Sequence, residues 1–69
     1  MMSNKVYVIT WVGDYESGVS GVYATLEKAK QELEKIADNC IVTQWSNSSL
    51  SFTTTDGDFY CIDETILYS

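Results

Sequence analysis

Between residues 21 and 39 apolar side chains recur at helical spacing, and on either side of that segment they alternate as strands do. Leu26, Ala29, Leu33, Ile36 and Ala37 fall on one stripe of a 3.6-residue period, opposite Glu27, Lys28, Gln31, Glu32, Glu34 and Lys35. Thr25 is placed to cap this helix, its hydroxyl accepting from a first-turn N–H, and Glu27 suits the positive helix end. Lys28 stands where a capping box needs Glu or Gln, so that start signal is only partial. Asp38-Asn39 supplies the stop, because Asn tolerates the left-handed conformation that ends many helices. A helix this short is marginal by itself and needs a sheet to lie on.

Residues 5–12 carry two apolar sets, with Val6, Val8 and Val12 on one side and Tyr7, Ile9 and Trp11 on the other. Such a strand belongs inside a sheet. The turn-forming run 13–18 reverses the chain into a second strand over 19–24, where Gly21 predicts a bulge or a close approach. After the helix, residues 40–45 read as a third strand by their β-branched content. Residues 46–49 form a turn and residues 50–55 alternate again. Asp56-Gly57 predicts a two-residue type I′ hairpin with positive φ at both positions. That loop would set Phe52 opposite Cys61, putting Leu50, Phe52, Phe59 and Cys61 on one face and Ser51, Thr53, Tyr60 and Ile62 on the other. Ile66-Leu67-Tyr68 closes the chain as a short strand or as a tail over an edge.

The order is therefore ββαβββ, an α+β fold in which one antiparallel sheet carries one helix, as a single domain over 1–69. One helix covers one face only. The far face is expected to hold Tyr7, Ile9, Trp11, Tyr60 and Ile62, joined by Trp45 and Tyr23. The tail 66–68 or a curled sheet would cover such a patch, but its contiguous aromatic character points instead to an interface, with a second copy or a partner. Tyr7, Ile9, Trp11, Trp45 and Tyr60 are thus the candidate interface residues, and a homo-oligomer built through that face or through an edge strand is expected.

Charge sharpens this picture. Four lysines stand against ten acids, for a net charge of −6, with no His and no Pro. Residues 25–39 hold four of the acids and three of the lysines, a net of −1, which leaves −5 for the rest. That excess gathers near turns: Asp14 and Glu16, Asp56 and Asp58, then Asp63 and Glu64. This balance argues strongly against direct nucleic-acid binding, which relies on Lys and Arg to neutralise phosphates. Asp14, Glu16, Asp56 and Asp58 are the residues expected to steer toward a basic protein, against the plainer reading of a solvated acidic surface. The two cysteines, Cys40 and Cys61, sit in strand-like runs, and residues 1–5 lead into a strand without the apolar core of a signal peptide. No apolar run approaches membrane-spanning length. A cytoplasmic protein with reduced thiols is expected.

Catalytic chemistry is missing from the sequence. Without histidine there is no ordinary general base near neutrality and no imidazole ligand. Neither thiol has a base to activate it, and two cysteines on separate strands make no zinc set. Asp56-Gly57-Asp58 lacks the rest of a calcium loop, and Gly13 and Gly18 lack the Gly-Lys-Ser/Thr of a phosphate loop. The expectation is a non-enzyme needing no cofactor and no metal.

Lys5-Val6-Tyr7-Val8-Ile9-Thr10 and Gly21-Val22-Tyr23-Ala24-Thr25-Leu26-Glu27-Lys28-Ala29, with an acidic turn between them, resemble the opening of many short phage- and prophage-encoded proteins of ββα plan. The resemblance covers roughly the first half of the chain and is structural, with no catalytic signature. It implies a counter-defence role, in which the protein binds and disables a host immune component stoichiometrically. Two alternatives stay open. One is an oligomeric sponge for a nucleotide immune signal, stacking bases on Trp11, Trp45, Tyr7, Tyr15, Tyr23 and Tyr60 but short of cations. The other is a structural or regulatory phage protein.

Overall fold

A computed structural model describes residues 4–67. Six elements follow one another: β1 (Asn4–Val12), β2 (Ser17–Tyr23), α1 (Leu26–Asp38), β3 (Val42–Trp45), β4 (Ser51–Thr54) and β5 (Phe59–Leu67). The five strands form one antiparallel sheet in the order β2-β1-β5-β4-β3, and the helix lies on one face of it. This is the α+β, ββαβββ architecture that the patterning predicts. The helix carries the chain from one sheet edge, β2, to the other, β3. The long pair β1 and β5 extends beyond both neighbours, since pairing runs on to Asn4↔Leu67 after β2 has ended at Tyr23. The principal-axis extents are 44 × 25 × 19 Å. β5 itself runs through Leu67, and Tyr68 lies outside the described residues.

The helix starts as its sequence dictates, with Thr25 extended and its hydroxyl accepting from Lys28 N at 3.2 Å. It ends differently. Asn39 is not left-handed (φ −96°); instead its side-chain amide donates to Lys35 O at 3.0 Å, satisfying one of the carbonyls that a helix end leaves free. On the outer face Glu32 receives both Lys28 (3.5 Å) and Lys35 (3.4 Å).

Two local features set which residues meet. Ser20 is an extra residue on β2, because Ile9 pairs with Gly21 while Thr10 pairs with Val19. Glycines then make room for aromatic rings. A β-carbon at Gly18 would lie 3.1 Å from Trp11 Nε1, and one at Gly21 would collide with the Tyr23 phenol. The second feature corrects the expected hairpin. Gly57 has φ +88° but Asp56 does not have positive φ, so a type I′ turn is impossible. Gly57 N donates to Thr54 O (3.1 Å) and Thr54 N to Asp58 O (3.0 Å), which closes a loop one residue longer, its last residue a left-handed glycine. Phe52 therefore faces Tyr60 and Ser51 faces Cys61. A slip of one residue exchanges the two faces of β4 relative to β5.

The core consists of Ile9, Ala29, Leu33, Phe52 and Ile62, with Tyr7, Tyr23, Leu26, Ile36, Val42, Leu50 and Tyr60 packed around it. This reverses the expected sides. Tyr7, Ile9, Trp11, Tyr60 and Ile62 do share one face, but it is the face beneath the helix. One helix is too narrow to fill the space over five strands, so the larger side chains of the sheet must supply the volume. Phe52 does so from β4, in the same buried cluster as Ala29 and Leu33, stacked on Tyr60 at 5.1 Å and tilted against Trp45 at 4.9 Å.

Candidate binding surfaces

The four turn carboxylates singled out for steering come together at one end of the sheet. Val12 pairs with both Ser17 and Phe59, so the β1–β2 turn and the β4–β5 loop emerge side by side. Gly13 N donates to Glu16 O at 2.7 Å and closes the first turn. The two turns interlock through their glycines. A β-carbon on Gly13 would sit 3.0 Å from the Asp58 carboxylate, and one on Gly57 would sit 3.4 Å from that of Asp14. Between them lies a shallow concavity lined by Trp11, Gly13, Asp14, Tyr15, Glu16 and Asp58. Tyr15 projects from it at 99% exposure. Among the described residues the ion pairs are Lys5–Glu64, Lys28–Glu32 and Lys35–Glu32, all on the helix or near the opposite end of β1. The carboxylates of the acidic end thus have no lysine partner among the described residues.

The apolar candidates lie on the helix-side face of the sheet and differ in how much of each is open to a partner. Ile9 is fully buried under the helix and can meet no partner in this fold, which corrects its placement as an interface residue. Tyr7 and Tyr60 are half-buried rims of the core, and the Tyr7 hydroxyl donates to Glu64 at 3.5 Å. Burial pushes the Tyr60 phenol above its ordinary value, with Cys40 and Asp58 adding to the effect. Trp11 borders the acidic concavity, whereas Trp45 stands at the far β3 edge beside Lys30 and Glu34. Trp45, Tyr60 and Trp11 nevertheless fall in one cross-strand row, joined through Phe52, on the face beneath the helix. Of the five, Trp11 alone lines the acidic concavity.

The face turned away from the helix, expected from the sequence to be an interface, carries a different set of residues from the one expected. By register it carries Val6, Val8, Thr10 and Val12 from β1, Val19 and Val22 from β2, and Phe59, Cys61, Asp63 and Thr65 from β5. Val19 and Val22 are 61% and 59% exposed, and Val12 and Phe59 are exposed as well. A signal for this was present: Gly18 and Gly21 mark the side on which rings must lie flat, and the valines of β2 alternate away from that side. Near its centre Thr10 Oγ1 lies 3.1 Å from Cys61 Sγ and donates to Asp63 at 3.4 Å. These contacts satisfy three polar groups without bringing any base beyond the carboxylate to the thiol.

Cys40 and Cys61 are both free, and among the described residues no group of three His, Cys, Asp or Glu side chains converges as metal ligands. No helix of the described residues is long and apolar enough to cross a membrane. Compared with protein-family models, curated proteins and solved structures, the chain matches no family, and no curated protein or solved structure matches it either.

Proposed function

We propose that this chain is a non-enzymatic binding protein that docks a basic surface of a protein partner through its acidic end, acting stoichiometrically. In the setting implied by its resemblance to short phage proteins, the partner is a host defence component in the bacterial cytoplasm. The supporting observation is the convergence of Asp14, Glu16 and Asp58 beside Trp11 and the fully exposed Tyr15, with Asp56 in the adjoining loop and the described lysine pairs elsewhere. Clustered carboxylates raise the encounter rate with a cationic surface, and an aromatic at the same spot supplies apolar contact once water is expelled. Steering of this kind weakens with salt, because the screening length falls to about 10 Å at 0.1 M ionic strength.

Capture from host lysate with the wild type and with the quadruple variant Asp14→Asn, Glu16→Gln, Asp56→Asn, Asp58→Asn tests the reading. The wild type should retain a basic protein at low salt and release it as salt rises, and the neutralised variant should retain none of it. Equal retention by both, or no retention by the wild type at low salt, would overturn the proposal. Phage plating on a defended host, with each form supplied in trans, then ties the contact to counter-defence.

A further inference from the structure

We infer that the bare sheet face is the contact surface for a second copy of this chain, the two sheets packing face to face with both helices outside. The inference concerns different residues from the acidic end and does not depend on it. Its first support is where the charge lies. Of the ten acids in a chain of net charge −6, only Asp63 is on this face by register, and that carboxylate already receives Thr10. Two copies of a strongly acidic chain can approach only by a surface that their charge avoids, and this is such a surface. A basic partner would find almost nothing there to pair with.

The second support is area. The strands comprise 9, 7, 4, 4 and 9 residues, 33 in all. At about 3.3 Å of rise and about 4.8 Å of spacing, each strand residue tiles roughly 16 Å², so the face measures about 500 Å² per copy. A two-fold contact buries it twice, about 1,000 Å² in total, which reaches the lower bound for a specific interface. The exposed Val12, Val19 and Val22, with Phe59 beside Val12 and the partly buried Val6 and Val8 on the same face, suit aligned sheet packing, where small branched side chains interdigitate across roughly 10 Å. An interface of this size is reversible, so association should be visible in the micromolar range.

Sedimentation of the unmodified protein across micromolar concentrations should give a two-chain mass that falls to one chain on dilution. Val22 is more than half exposed, so Val22→Glu and Val22→Lys should keep the circular dichroism of the wild type. Each should raise the dimer dissociation constant by at least about tenfold, since a charge of either sign is costly to bury unpaired. Tyr15→Ser, at the acidic end, should leave the mass unchanged. The unmodified chain gives a second readout, in which the valine methyl resonances of Val8, Val19 and Val22 shift on dilution together with the mass. A monomer throughout the micromolar range would overturn the inference. So would dimers that persist in both Val22 variants, loss of the dimer in Tyr15→Ser, or dilution shifts confined to residues elsewhere.

Discussion

Replacing Gly57 with alanine tests the feature that sorts the two faces of the sheet. Gly57 holds φ +88°, a region that costs an L-residue roughly 1–2 kcal/mol. Alanine also narrows the unfolded ensemble, which returns about 0.4–1 kcal/mol. Steric conflict adds little, because the nearest neighbour of the new β-carbon, Asp14 Oδ1, lies at an ordinary 3.4 Å. The net expectation is a loss of about 1 kcal/mol, or roughly 4–8 °C in Tm for a domain of this length. Asp56→Ala is the paired comparison. Its backbone does not have positive φ, so the change should stay within about 0.5 kcal/mol of the wild type. Urea unfolding followed by tryptophan fluorescence, at one low protein concentration, measures both. A type I′ loop would make Asp56→Ala clearly destabilising, by more than about 0.5 kcal/mol, because alanine tolerates positive φ less well than aspartate does. That result would refute the longer loop, return Phe52 to a place opposite Cys61, and undo the assignment of faces.

Phe52→Ala should cost about 3–5 kcal/mol, since it empties a buried site stacked between Trp45 and Tyr60. A 69-residue domain has only roughly 3–10 kcal/mol in total, so urea titration should find this variant largely unfolded. Thr25→Ala should remove about 1 kcal/mol by freeing the Lys28 N–H, and the loss should appear in the helical circular dichroism on heating. Glu32 titrates below its ordinary 4.5, chiefly through the hydrogen bond from Lys35, with Lys28 assisting. Because its folded value is depressed, its stabilisation is present above pH 4.5 and is lost as pH falls through the folded value. Glu32→Gln should therefore flatten the acid limb of a plot of Tm against pH, and an unchanged limb would refute that role.

The helix and its cap, the order of elements and the two-sided character of the first strand were all legible in the sequence. Each depends on residues close together in the chain: a hydroxyl three residues from the N–H it accepts, an apolar stripe of period 3.6, side chains alternating every second position. The gathering of Asp14, Glu16, Asp56 and Asp58 was legible only as two separate acidic turns. That the turns are neighbours follows from β1 pairing with β5 along its whole length, a contact between residues some fifty positions apart. Which face the helix covers was decided by tertiary structure alone. Val6, Val8 and Val12 and Tyr7, Ile9 and Trp11 are equally apolar in alternation, so periodicity separates the sets without saying which is inside. The choice fell to volume, since a single helix over five strands leaves space that only Ile9, Phe52, Ile62 and the tyrosines can fill. One residue of hairpin register, set by whether Asp56 or only Gly57 takes positive φ, then decided which β4 side chains joined them.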